Sequence, residues 1–260
     1  MSTWVLLRGL TREARHWGDF ADRFGRGLGD ERVVCVDLPG SGSRHHERSP
    51  TNVAAMVVAC RRALRSEGVA PPLRLFALSL GGMVAVSWAT SHPQEVLGAV
   101  LVNTSLGDVA PWHRRLRPRQ WRPLIGAMLA RDALAIERRV MAMTTHHPSV
   151  DPETLAARWA AIRREHPVTR ANALRQLWAA ARFRAPSLPP RVPLLLLASR
   201  ADALVDVTCS ERLAAAWHAD LAVHPTAGHD LPLDDPDWVV GTVARWLDRG
   251  GRASDVSPDA

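Results

Sequence analysis

The chain has no lysine and no tyrosine; all 33 of its basic residues are arginine. Its three cysteines, Cys35, Cys60 and Cys209, are widely spaced and odd in number, which argues against a disulfide framework or a cysteine metal site and reads as reduced, structural thiols. No run of about 18 uninterrupted apolar residues occurs, so no membrane-spanning helix is expected. Thr3-Trp4-Val5-Leu6-Leu7 follows almost directly on Met1, with no basic segment, apolar stretch and cleavage site; no signal peptide is expected, and the cytosol is the expected location. Internal repeats are absent. The formal charge of +7 is unevenly placed: 15 Arg stand against 6 Asp+Glu between Asp108 and Ala185, and the remainder of the chain is slightly acidic. Such a segment reads first as solvated surface, with attraction of an acidic substrate or carrier protein as the sharper alternative; no nucleic-acid recognition motif accompanies it, so a nucleic-acid partner is not expected.

With 260 residues and 47% apolar content the chain can bury a large core. Apolar runs at Thr3–Leu7, Arg32–Val36, Leu73–Ala77, Gly98–Val102, Pro193–Ala198 and Leu221–His224 read as strands. Between them lie helical patterns at about 17–24, 53–66, 80–91, 210–218 and 238–247. This alternation predicts an α/β fold, a mostly parallel sheet of about six strands flanked by helices. From Asp108 to Ala185 no strand pattern occurs; Leu129, Ala133, Ile136, Val140 and Met143, then Leu155, Trp159 and Ile162, then Leu174, Leu177, Trp178 and Ala181 recur at helical spacing. The expected organisation is a core of 1–107 and 186–249, a helical cap at 108–185, and a flexible tail at 250–260.

Ala77-Leu78-Ser79-Leu80-Gly81-Gly82 sits where a strand pattern gives way to a helix pattern. Small residues two before and two after a serine at such a switch allow a turn sharp enough to lift the hydroxyl clear of the backbone, with the Leu80 amide aimed at the same point. A serine nucleophile needs a base and an acid that orients it. Asp202 follows the Leu194–Ala198 run, and His229 follows the last short strand. Asp206, Asp230 and Asp234 are nearby alternatives for the acid. The loop after the preceding strand holds Asn103 and not an acid, which favours Asp202. In a parallel sheet all three loops fall at one edge.

These motifs resemble the α/β-hydrolase fold family, and within it the serine carboxylesterases, among them carrier-protein methyl ester esterases. Four landmarks carry the resemblance in order: Leu6-Leu7-Arg8-Gly9-Leu10, Asp37-Leu38-Pro39-Gly40-Ser41-Gly42-Ser43, the elbow at Ser79, and Gly228-His229. It covers about 3–102 and 193–247, and the helical block lies where the family carries its cap. The resemblance implies Ser79 as nucleophile, His229 as base, Asp202 as orienting acid, and the amides of Leu10 and Leu80 as oxyanion donors, with no metal and no cofactor. It also implies two departures: Arg8 replaces the family's usual histidine, and Ala77 its usual first glycine. On the same resemblance the family's first two strands are not expected in this sheet.

The expected activity is hydrolysis of carboxylic esters of small or medium acyl substrates through an acyl-enzyme. Acyl or thioester transfer, C–C hydrolysis and perhydrolysis are alternatives on the same scaffold, and a non-catalytic ligand-binding protein is a further one. A small-molecule ester is the expected substrate, with an acidic acyl carrier protein a candidate partner for the basic cap through Arg114, Arg115, Arg138 and Arg139. His45-His46 and His146-His147 read as solvated loops, because neighbouring histidines point apart and lack partners at ligand spacing. Gly25-Arg26-Gly27-Leu28-Gly29 reads as a turn, and Asp37 as a residue that stabilises its own loop. Trp112, Trp121, Trp159 and Trp178 read as cap packing, with one or two of them lining an acyl pocket.

Overall fold

The computed structural model describes residues 2–146, 148 and 150–251. Its sheet has six strands: β1 (Thr3–Leu7), β2 (Arg32–Val36), β3 (Leu73–Leu78), β4 (Val96–Val102), β5 (Leu194–Ser199) and β6 (Asp220–His224). They lie in the order β2-β1-β3-β4-β5-β6, and every neighbouring pair is parallel. Helices α1 (Phe20–Gly27), α2 (Val53–Ser66) and α3 (Leu80–Ser91) belong to the first half. The connection from β4 to β5 holds α4 (Trp112–Arg115), α5 (Trp121–Leu129), α6 (Ala133–Thr144), α7 (Pro152–Glu165) and α8 (Arg170–Arg182). After β5 come α9 (Thr208–Trp217), α10 (Leu231–Asp234) and α11 (Pro236–Trp246).

The period of two in a strand sends alternate side chains to opposite faces. Val5, Leu7, Leu75, Ala77, Leu194 and Leu196 pack toward α2, α3 and α9. Trp4, Leu6, Phe76, Leu78, Leu195 and Leu197 pack toward α1 and α11. Covering helices on both faces explain why the inner strands read as continuous apolar runs. The edge strands β2 and β6 are half-exposed.

Two local readings differ from the structure. Residues 14–17 form a short 3₁₀ turn that stops at Gly18 (φ 59°), and α1 begins only at Phe20. Gly25 and Gly27, expected in a turn, close the C-terminal end of α1. A Cβ on Gly27 would collide with Val240 of α11, so glycine here permits two helices to approach instead of bending the chain. Of the expected tail, only 250 and 251 are among the described residues.

Side-chain caps start α6, α7 and α8 of the insert. Asp132 accepts from Ala135 N (2.7 Å), Asp151 from Thr154 N (2.9 Å) and Thr169 from Asn172 N (3.1 Å). Met141, Leu155, Ala156, Trp159 and Ile162 then pack α6 against α7. Polar contacts seam the insert to the sheet domain. Glu137 is fully buried between Arg12 (2.5 Å) and Arg163. Gln176, also fully buried, accepts from Thr11 N (2.9 Å) and donates to Ser41 Oγ (3.1 Å).

Candidate active site

Because all strands run one way, the loops leaving β1, β3, β4, β5 and β6 gather at one edge. The strand order reverses direction between β1 and β3, where open α/β sheets form a crevice. The loop 8–12 and the turn at Ser79 meet there.

Ser79 stands between β3 and α3 at φ 57°, ψ −114°, a conformation that costs a non-glycine residue about 1–3 kcal/mol. Its amide continues the sheet to Val102 O (2.9 Å), and its carbonyl accepts from Thr104 Oγ1 (2.8 Å) and Gly82 N (3.0 Å). A Cβ on Gly81 would lie 2.8 Å from Arg8 O and closer still to Leu7 O; only glycine lets α3 rise this near β1. As first residue of α3, Leu80 has an amide with no acceptor inside the helix. Among the described residues no loop carbonyl or side chain takes up the Leu10 amide either.

Asp202 is the carboxylate bonded to His229, with Oδ2 2.7 Å from Nδ1 and both residues buried. Its Oδ1 accepts from Leu204 N (2.7 Å) and Val205 N (2.9 Å), so the carboxylate is aimed by its own loop. Burial opposes a charge on His229. The charge and hydrogen bond of Asp202, helped by Asp230 and opposed by Arg8, outweigh it and hold the ring's pKa above its ordinary value. The other aspartates are engaged elsewhere: Asp206 with Arg114 and Arg117, Asp230 with Arg8, Asp234 with Thr145 and the Gly228 amide. Asp37 accepts from Ala14 N (2.7 Å) and from Ser43 N and Oγ (2.9 Å each).

Ser79, Leu80, Leu10 and His229 share one cavity of about 410 Å³, roofed by Trp112, Trp121 and Leu177 of the insert. Ser79 Oγ has no hydrogen-bond partner among the described residues. A second cavity of about 430 Å³ lies among α5–α8 and shares Leu10, Thr11, Leu124, Val140 and Leu177 with the first.

Three residues organise this site without having been assigned to it from the sequence. Asn103, weighed only as a missing acid, joins the loops of Asp202 and His229: it accepts from Ser199 N (2.9 Å) and donates to His229 O (2.9 Å). Arg8 forms a two-pronged pair with Asp230 (3.0 and 2.5 Å), both side chains buried, and its guanidinium lies 4.5 Å from the Trp17 ring centre. Gln176 fixes the amide of Thr11, a β-branched residue held at φ 58° directly after Leu10. Arg8 stands out in the sequence only as a departure from the family's histidine; nothing local marks its pairing with Asp230 or the parts played by Asn103 and Gln176.

Burial pushes each of the three cysteine thiols up to about 12, so none is a thiolate at neutral pH. Among the described residues no group of three or more His, Cys, Asp or Glu side chains is placed to hold a metal ion. His147 lies outside the described residues. Trp159 is buried, Trp112 and Trp121 line the cavity while remaining exposed, and Trp178 is exposed.

A fold of six parallel strands with this loop edge is that of an α/β hydrolase, and residues 4–242 match the model of the alpha/beta hydrolase family; the chain belongs to that family. Over 105 residues it is 30% identical to the biotin biosynthesis bifunctional protein BioHC of Teredinibacter turnerae, a match that spans 40% of this chain and 17% of that protein. Its fold is similar to that of a hydrolase from Pseudomonas aeruginosa PA01, with a TM-score of 0.74 and 22% identity over 95% of this chain and 89% of the other. A thermophilic esterase from Thermogutta terrifontis has a TM-score of 0.72 and 20% identity over 96% and 90%. Among the described residues no helix is long and apolar enough to cross a membrane.

Proposed function

We propose that the protein is a serine hydrolase of carboxylic esters, with Ser79 as nucleophile, His229 as base and Asp202 as its orienting acid. The observation that carries this reading is the buried His229–Asp202 pair opening into the same cavity as a serine on a strained strand-to-helix turn. As Ser79 Oγ bonds to the ester carbon, its proton passes to His229 Nε2, and the ring's Nδ1–H donates to Asp202. The carbonyl oxygen gains charge beside the Leu10 and Leu80 amides, each worth about 3–4 kcal/mol of transition-state stabilisation. The ester C–O bond then breaks, and His229 returns the proton to the departing alkoxide. Water, deprotonated by the same ring, releases the acid and restores Ser79.

The helical insert acts as a cap that supplies the acyl wall, and the predominantly apolar lining favours a small or medium acyl group. Transfer of the acyl group to an acceptor other than water, C–C hydrolysis and perhydrolysis use the same first steps. A carrier-borne ester is a second reading of the substrate, supported by the excess of arginine in the insert and by the likeness to BioHC. Arg114, Arg115 and Arg138 are poor candidates for docking such a carrier, since they bind Asp206, the last carbonyls of α8 and Glu153.

The test is turnover of p-nitrophenyl esters of increasing chain length, with intact mass after a fluorophosphonate probe. Turnover and a single adduct, both lost in Ser79→Ala, are expected. Because the base must be neutral and its pKa is raised, kcat/KM is expected to rise with pH through a value above about 6.5. A folded wild type that gives neither turnover nor adduct would leave a ligand-binding protein as the reading.

A further inference from the structure

The outward face of the insert is chemically unlike the rest of the surface. Trp121, Ile125 and Leu129 follow at every fourth position along α5 and form one stripe; Leu174 and Trp178 do the same on α8. All five are exposed, by 42–65%, as is Trp112 at 62%. Their helices also carry a second, inward apolar face: Leu124 and Leu177 line the two cavities. A helix with apolar residues on both sides has an outer stripe that the fold leaves without a partner.

The helices that carry the stripes meet at one end and share α4 at the other. Arg170 of α8 donates to Leu129 O at the end of α5 (2.9 Å), and Arg115 of α4 donates to Ala180 O near the end of α8 (2.7 Å). Both helices line the two cavities. Trp112 and Trp121 pack in a tilted pair with ring centres 5.3 Å apart and form part of the wall of the Ser79 cavity, so the exposed apolar surface runs into the site.

Charge surrounds it. Residues 112–131 and 170–182 contain nine arginines and no acidic residue. Arg119, Arg122, Arg131 and Arg182 are exposed, and none has a carboxylate partner among the described residues. Arg182 lies 5.3 Å from the centre of the Trp178 ring.

We propose that this face is a docking surface for an anionic lipid layer. Tryptophan at the boundary, aliphatic stripes below it and arginine around it match a layer with phosphate or carboxylate headgroups over acyl chains. A second copy of the chain fits poorly, because the same unpaired arginines would face one another. An acidic protein would satisfy the arginines but offers less to two exposed apolar stripes. Docking in this orientation turns the wall formed by Trp112 and Trp121 toward the layer, so an ester dissolved in it has a short path to the cavity of Ser79. The docking itself does not depend on the reading of Ser79.

The experiment is co-sedimentation of the full chain with vesicles of phosphatidylcholine alone and of equal parts phosphatidylcholine and phosphatidylglycerol. Binding to the mixed vesicles, little to the neutral ones, and loss as salt rises from about 0.1 M to about 1 M are expected. Ile125→Ser, Leu129→Ser and Leu174→Ser combined should weaken partition about tenfold or more. Arg119→Gln and Arg122→Gln should each weaken it about fivefold. None of these five positions lines the cavity, so unchanged circular dichroism and unchanged turnover of a water-soluble ester report an intact fold. A folded wild type that stays in the supernatant with mixed vesicles overturns the proposal. So does a triple serine variant that binds as well as wild type, which would reduce the effect to charge alone. Equal vesicle binding by both, with the triple variant losing affinity only for an acidic carrier protein, would give the face to a protein partner instead.

Discussion

Replacing Asp230 by asparagine separates two roles of one carboxylate. In the folded protein Asp230 meets Arg8 through two hydrogen bonds of 3.0 and 2.5 Å, and each side chain is only 4% exposed. At an effective dielectric of about 20, two charges about 4 Å apart attract by about 4 kcal/mol. Removing one partner strands the guanidinium away from water, and such losses amount to about 3–5 kcal/mol. Asp230→Asn should therefore cost about that much in urea unfolding. Arg8→Met combined with Asp230→Leu should cost clearly less than the single change, because no charge is left unpaired. The catalytic consequence has its own sign. Asp230 helps to raise the His229 pKa and Arg8 opposes it, so the single variant loses the first influence and keeps the second. The His229 pKa falls, and the acid limb of kcat/KM on a water-soluble ester moves to lower pH. A limb that stays put or moves upward, or a double variant as unstable as the single, would refute the reasoning.

Gln176→Leu leaves the Thr11 amide and the hydroxyls of Ser41 and Ser49 without this partner, a loss of about 1–3 kcal/mol in stability for each group left unsatisfied. As Thr11 follows Leu10, kcat should fall about tenfold or more with KM little changed, and steady-state kinetics that show only a KM effect would contradict this. His16 is buried beside Arg12 and Arg8; burial, then those charges, hold its pKa well below 6.5. The folded form thus refuses a proton that the unfolded chain accepts, so its contribution is present above about pH 6.5 and is lost as pH falls, by up to about 1.4 kcal/mol per pH unit. Urea unfolding at several pH values should show this slope in wild type and lack it in His16→Gln; equal slopes would refute it.

The sheet was legible because its inner strands are buried on both faces and so leave unbroken apolar runs, such as Leu194–Leu197. The elbow was legible because sterics restrict the residues around Ser79, and the choice of Asp202 rested on its position after a strand. Less could be read where partners lie far apart in the chain. Arg8 and Asp230 are 222 positions apart, and Gln176 and Thr11 165 apart, so no local pattern announces either pair. The periodicity of Leu174, Leu177 and Trp178 correctly marked a helix. It could not tell the inward Leu177 from the outward Leu174 and Trp178, because both sides of α8 are apolar.

Glu137 has a consequence for how this protein can be rebuilt. It belongs to the insert, yet one of its two arginines, Arg12, belongs to the sheet domain and is itself buried. The insert is therefore not an interchangeable part. A graft that brings in residues 108–185 from another family member, without an acid at this height and an amide at the height of Gln176, abandons a buried cation next to the loop that carries Leu10. Exchange of specificity between relatives has to move Arg12 and Thr11 together with the helices above them, and the unit of recombination crosses the boundary that the chain's topology suggests.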